Sequence, residues 1–155
     1  MIIKNENHIY TYFQIIKELQ PLSVLDAGMF LKRVGSVARQ MMNCEVPKEV
    51  RLDGIDFFPE VQFPIWEMIY DKRYNVIDLS EVGNLMQYDL GIVLGSEDLV
   101  HKVSLKKLFW EMEGTVSWFL TDAYMREQAE SAQGKRVQNI MVEGEVYYLM
   151  DCRKG

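Results

Sequence analysis

Three residues whose chemistry could serve a ligand follow residues that predict strands: Asp26, Gly28 and Asp56. The first two come after the apolar pair 24–25, and the third ends the stretch 50–55. A glycine lets the backbone approach a ligand closely because it has no Cβ atom. A carboxylate at the end of a strand can accept hydrogen bonds from both hydroxyls of a ribose. A strand, a glycine turn and the start of a helix are together typical of a nucleotide-like ligand site, since backbone N–H groups converge there.

A second candidate group follows the apolar run 88–94. Glu97 and His101 lie close in sequence and could form a general acid–base pair. The alternative is that His101 is a surface or packing residue and that Asp98 only caps a helix. Both interpretations stay open at this point.

The sequence predicts no metal site. Its two histidines, His8 and His101, have no neighbouring ligands, and His8 has even less claim to a function than His101. Cys44 and Cys152 are far apart and form no Cys-x-x-Cys motif. Reduced thiols in a cytoplasmic protein are the simpler interpretation of these two cysteines.

Helical and extended patterns alternate along the chain, which predicts a sheet with helices on both faces. Most strands follow one another through helices, which predicts parallel pairing, and the final Glu143-Gly144 turn predicts an antiparallel hairpin. The predicted strands are 23–27, 50–56, 75–79, 88–94, 116–120, 138–142 and 145–150. The predicted helices are 9–20, 34–42, 64–69, one capped by Ser104 and ended by Gly114, and one that is capped by Asp122 and runs to about Gln133.

This order of elements resembles the seven-stranded, class I S-adenosylmethionine-dependent methyltransferases. Three segments carry the resemblance: Val24-Leu-Asp-Ala-Gly28 at the first strand, Arg51-Leu-Asp-Gly-Ile-Asp-Phe-Phe-Pro59 at the second and Tyr88-Asp-Leu-Gly-Ile-Val-Leu94 at the fourth. It covers roughly residues 9–151 and implies an α/β, three-layer Rossmann-like methyltransferase fold with a C-terminal antiparallel hairpin. We expect one domain over 1–155, with residues 1–20 as an N-terminal helix packed on the core.

The resemblance also implies roles for particular residues. Asp26, Gly28, Asp56 and Asp78 would bind S-adenosylmethionine, with Asp56 on the ribose and Asp78 near the adenine. Ser96 and Glu97 would face the methyl acceptor, with His101 as a further catalytic candidate. The alternative for Asp26 is a carboxylate that only braces the turn, and for Asp78 a plain loop residue.

The glycine-rich loop departs from the family pattern Asp-x-Gly-x-Gly-x-Gly. Phe30 and Lys32 stand where the family has its second and third glycines. A phenylalanine ring would fill space that the cofactor normally uses, and Lys32 would add a positive charge beside a cationic sulfonium. A catalytically inactive binding or interaction module that has lost its cofactor is therefore the alternative to a methyltransferase.

Charge and composition restrict the partners that we expect. A net charge of −6 and a sequence pI near 5.0 argue against a nucleic-acid acceptor. The Asn/Asp-Pro-Pro-Tyr/Phe signature of nucleic-acid amino-methylating enzymes is also absent, because Leu94 is followed by Gly-Ser-Glu-Asp98. We expect a small-molecule acceptor of unassigned identity, no membrane contact, and a cytoplasmic location. The aromatic residues of 57–66 could line a substrate pocket or a homodimer surface, although core packing explains most of them.

Overall fold

The computed structural model describes residues 2–33, 50–57, 69–132 and 136–153, with the backbone alone for 2–5 and 32–33. Its helices and strands are α1 (Ile2–Leu19), β1 (Ser23–Ala27), α2 (Phe30–Arg33), β2 (Arg51–Asp56), β3 (Lys72–Asn75), β4 (Tyr88–Val93), α3 (Leu105–Glu113), β5 (Val116–Asp122), α4 (Arg126–Glu130), β6 (Arg136–Val142) and β7 (Glu145–Asp151). Within the same residues, 3-10 helices cover Leu79–Asn84, Ser96–Asp98 and Ala123–Met125. The predicted helices 34–42 and 64–69 lie almost entirely outside the described residues.

The strands form one seven-stranded sheet in the order β3-β2-β1-β4-β5-β7-β6. β1 to β5 are mutually parallel, and β7 runs antiparallel to both of its neighbours. β2 and β3 lie on one side of β1, whereas β4 and β5 lie on the other side. Because the strand order reverses between β1 and β4, a crevice forms between the carboxyl ends of these two strands. The predicted Rossmann-like methyltransferase fold with its C-terminal hairpin is thus confirmed.

Two apolar clusters cover the two faces of the sheet. One cluster joins α1 and α2 to β1, β2 and β4, with Tyr12, Ile16 and Leu31 among its buried members. The other joins α3 to the opposite face through Leu108, Phe109 and other side chains. Because both faces are covered, the central strands are almost continuously buried.

The first helix starts earlier than its sequence pattern predicted. The prediction began at residue 9, whereas α1 begins at Ile2. Its buried side is formed by residues at helical spacing, namely His8, Thr11, Tyr12, Ile15 and Ile16. His8 is therefore part of the face that packs against the sheet.

The third strand lies earlier in the chain than predicted. It covers Lys72–Asn75 and pairs with β2, whereas the prediction placed it at 75–79. The reason is that Asp78 accepts a hydrogen bond from the backbone amide of Ser80 and caps the 3-10 helix that follows. Leu79, the last residue of the predicted strand, is instead the first residue of that helix and is buried there.

The hairpin and the helix cap at Ser104 agree with the sequence, whereas the element capped by Asp122 differs from the prediction. Glu143 and Gly144 both have positive φ, as a two-residue type I′ turn requires, and β6 pairs with β7 on either side of them. The hydroxyl of Ser104 accepts a hydrogen bond from the amide of Lys107 at the start of α3. Asp122 caps a 3-10 helix instead of the long α-helix expected, and α4 ends at Glu130.

Candidate ligand site at the carboxyl ends of the strands

Asp26 is fully buried, and the chain itself uses both of its carboxylate oxygens. Oδ1 accepts a hydrogen bond from the amide of Phe30 and Oδ2 one from the amide of Leu31, both at 3.1 Å. The hydroxyl of Tyr70 also donates to Oδ2, at 2.5 Å. Asp26 therefore braces the turn after β1 and holds the first amides of α2, which leaves those amides unable to serve an anionic ligand.

Gly28 is in a conformation that favours glycine, and its neighbour is a side chain of the protein. Its φ angle is +94°, and a Cβ atom placed there would lie 2.9 Å from Cδ1 of Leu99. Leu99 follows the 3-10 helix after β4 and is fully buried. The Leu99 side chain therefore occupies the space that the missing Cβ of Gly28 leaves open.

Phe30 is buried in the apolar cluster on the α1 side of the sheet, with 2% of its surface exposed. Its ring meets the imidazole of His8 edge-on, with 5.5 Å between ring centroids. The phenylalanine at the second glycine position of the family loop is therefore a packing residue. The side chain of Lys32 lies outside the described part of the structure.

Asp56 ends β2 and is 98% buried, at the position where the resemblance implies ribose binding. Its Oδ2 atom lies 3.6 Å from Nη1 of Arg73, which reaches across from β3. A ribose at this carboxylate would have to compete with the guanidinium for the same oxygen.

Asp78 follows β3 and directly precedes the 3-10 helix Leu79–Asn84. Its side chain is 62% exposed, caps the 3-10 helix and lies 3.8 Å from Nζ of Lys107. The backbone amide of Ser80 is the main cause that lowers the pKa of the Asp78 carboxyl below its ordinary value. These contacts give Asp78 a structural use in its loop.

A second group of polar residues lies where β4 and β5 end. Ser96 and Glu97 follow β4, and the amide of Ser96 donates a 3.0 Å hydrogen bond to Oδ2 of Asp122 at the end of β5. Oδ1 of Asp122 accepts a hydrogen bond from the amide of Tyr124. The carboxylate of Asp122 therefore ties the loops after these two neighbouring strands together.

His8 joins this group from α1. One ligand atom each of His8, Glu97 and Asp122 lie within 4.8 Å of one another. The hydroxyl of Tyr147 lies 2.5 Å from Nδ1 of His8, and Tyr147 is paired with Asp122 in the β5–β7 register. The histidine that the structure brings to Glu97 is therefore His8, whereas His101 is exposed.

Burial raises the pKa values of two residues in this group, Asp122 and Tyr147. Desolvation raises the pKa of the Asp122 carboxyl, and the negative charge of Glu97 adds to that effect, while the hydrogen bond from the backbone amide of Ser96 and the charge of His8 oppose it. Desolvation also raises the pKa of the Tyr147 hydroxyl, which stays protonated at neutral pH. A cation placed among these groups would offset the cost of burying negative charge there.

Sequence reasoning missed His8, Asp122 and Tyr147 as members of one site. The sequence does indicate that His8 faces the core, because it precedes Thr11 by three residues and Tyr12 by four, which places all three on the same side of a helix. Asp122 was recognised only as a helix cap. Tyr147 is brought to the site by antiparallel pairing between distant segments, which no local pattern indicates.

Comparisons with known proteins identify the fold. No protein-family model matches the sequence, and no curated protein matches it either. Among solved structures, a candidate caffeoyl-CoA O-methyltransferase from Staphylococcus aureus matches with a TM-score of 0.63 and 10% identity over 93% of this chain and 82% of that one. A methyltransferase from Geobacter sulfurreducens gives a TM-score of 0.63 and 9% identity, covering 92% and 77% of the two chains.

The 16S rRNA methylase RmtB also matches, with a TM-score of 0.61 and 14% identity over 92% of this chain and 60% of that one. These similarities show a shared methyltransferase fold. Because one name specifies a caffeoyl-CoA enzyme and another a ribosomal RNA enzyme, the fold does not determine an acceptor. None of the helices in the described segments is long and apolar enough to cross a membrane.

The arrangement of the described residues does not fit S-adenosylmethionine. The loop that would hold the cofactor is braced by Asp26, covered at Gly28 by Leu99, and followed by a buried Phe30. The carboxylate that would take the ribose, Asp56, lies beside Arg73. No catalytic step through this cofactor follows from these residues.

Proposed function

We propose that this chain is a methyltransferase-fold protein that does not take up S-adenosylmethionine and acts as a binding or interaction module. The observation that carries the proposal is the contact of Leu99 with the glycine turn, where a Cβ on Gly28 would lie 2.9 Å from Cδ1. A ligand seated against this turn would have to displace a fully buried leucine. Exposing such a side chain costs about 1.5–3 kcal/mol, which the ligand would have to offset.

Two further contacts support the proposal. Phe30 is packed among buried side chains and against His8, so space near the turn is filled from within the chain. The carboxylate of Asp26 is satisfied by two amides and one hydroxyl of the protein. A turn that is braced and covered in this way stabilises the fold without needing a bound cofactor.

The second candidate function is an S-adenosylmethionine-dependent methyltransferase that acts on a small molecule. Asp56 favours it, because a buried carboxylate at the carboxyl end of β2, next to β1, is suited to hold a ribose. The methyltransferases that share the fold favour it as well. In this case Leu99 and Arg73 would both have to move when the ligand binds.

Calorimetric titration of the full chain separates the two candidates. We expect no saturable heat with S-adenosylmethionine or S-adenosylhomocysteine at concentrations up to about 1 mM. A dissociation constant of about 1 mM corresponds to a binding free energy of about −4 kcal/mol, so binding would have to be weaker than that. Saturable binding that Asp56→Ala weakens by about 1–3 kcal/mol would instead support the methyltransferase. Glu127→Ala, which removes an exposed carboxylate of α4, is the matched control and should change neither result.

A further inference from the structure

We propose that His8, Glu97 and Asp122 form a binding site for a divalent transition-metal ion, for which Zn²⁺ is the best-matched probe. One atom from each of the three lies within 4.8 Å of the others, a spacing that a single ion can bridge. The three residues come from α1, the loop after β4 and the end of β5, so the site depends on the folded chain. It is independent of the proposed function, because it uses neither the glycine turn nor Asp56.

The ligand types select the metal. One imidazole and two carboxylates suit Zn²⁺ and similar transition-metal ions, whereas Mg²⁺ and Ca²⁺ prefer sites made of oxygen alone. Three protein ligands leave at least one coordination position for water or a substrate, as in open zinc sites. His8 and Asp122 are almost completely buried, at 1% and 3% exposure, so the ion would be largely shielded from solvent.

The surroundings orient two of the three ligands. The hydroxyl of Tyr147 lies at hydrogen-bond distance from Nδ1 of His8, so in the tautomer with the proton on Nδ1 the ion would bind at Nε2. The imidazole is also held edge-on between the rings of Phe30 and Tyr147. Asp122 is held by the amides of Ser96 and Tyr124.

A buried hydroxyl beside the ligands is a second, separate observation. The side-chain oxygen of Ser96 is buried and has no hydrogen-bond partner within the described residues. Ser96 adjoins Glu97 in sequence, and its amide contacts Asp122. A buried hydroxyl without a partner is costly, and a water molecule on the metal would satisfy it.

The test uses the full chain after treatment with a chelator and dialysis. Titration with Zn²⁺ should show one ion per chain with an affinity in the micromolar range and a rise in melting temperature, and Mg²⁺ should bind far more weakly. Titration with Co²⁺ should give d–d absorption without a thiolate-to-cobalt charge-transfer band, which separates this site from binding by Cys44 or Cys152.

Two isosteric variants assign the site. Glu97→Gln and Asp122→Asn should each weaken Zn²⁺ binding by about tenfold or more. In the second variant the carbonyl oxygen of the new side-chain amide could still accept a backbone hydrogen bond, which helps the loops to keep their positions. His101→Gln, which removes the exposed histidine, should leave the affinity unchanged. Unchanged affinity in folded Glu97→Gln, a thiolate band, or no Zn²⁺ binding by the wild-type chain would each overturn the proposal.

Discussion

Removal of one hydroxyl, in Tyr70→Phe, tests whether Asp26 braces the turn after β1. The hydroxyl donates to Oδ2 of Asp26 at 2.5 Å, and both residues are at least 96% buried. Hydrogen bonds to charged groups contribute about 1.5–3 kcal/mol, and phenylalanine preserves the ring, so no large cavity forms. We expect the free energy of unfolding to fall by about 2 kcal/mol. For a chain of this size that corresponds to a melting temperature lower by about 4–8 °C.

Urea denaturation is the appropriate assay, with the midpoint shifted and the slope unchanged. Tyr10→Phe is the matched control, because Tyr10 is 56% exposed and its hydroxyl accepts a hydrogen bond only at the surface, from Gln14. It should change the stability by less than about 0.5 kcal/mol. A double-mutant cycle with Asp26→Asn should give a coupling energy of about 1–2 kcal/mol. If Tyr70→Phe costs no more than Tyr10→Phe, Asp26 does not brace the turn in the way described.

The remaining predictions concern the covering leucine and the C-terminal ion pair. Leu99→Ala should destabilise the protein by about 2–5 kcal/mol in urea denaturation, because the substitution leaves a cavity at a fully buried position. Val100→Ala, at a 42% exposed position, is the control and should cost much less. Equal costs for the two variants would show that Leu99 is not packed. Hydrogen bonds from Arg153 lower the pKa of the Asp151 carboxyl to about 2 in the folded protein. The ionised Asp151 therefore stabilises the fold fully above the carboxyl's unfolded pKa near 4, and this stabilisation is lost as the pH falls towards 2. The stability difference between wild type and Asp151→Asn should therefore shrink between about pH 5 and pH 2, and a difference that stays constant with pH would contradict this.

The sheet could be predicted because its signals are local. Apolar runs bounded by turns located β1, β4 and β5, and Glu143-Gly144 specified the hairpin through two residues that accept positive φ. The shift of β3 shows where local signals fail. The residues after Asn75 are apolar enough for a strand, but the cap formed by Asp78 makes a helix more favourable there.

The site was harder to predict than the sheet, because its residues meet only through long-range packing. His8 and Tyr147 are separated by 139 positions and come together through the docking of α1 and the pairing of β7 with β5. The helical pattern was recognised only from residue 9 onward, so His8 was not placed on the buried side of α1. Asp26 had two open interpretations, and its three hydrogen-bond donors favour the bracing one.

The contact between Leu99 and the glycine turn can be measured directly by nuclear magnetic resonance in the presence of ligand. With about 1 mM S-adenosylmethionine or S-adenosylhomocysteine, a range that detects weak binding, we follow the nuclear Overhauser effect between the Leu99 methyl groups and Gly28. The proposed function predicts that this effect persists and that the Leu99 and Gly28 signals do not shift. Saturable shifts of both signals with loss of the effect would show that the turn opens for the cofactor, and would contradict the proposal.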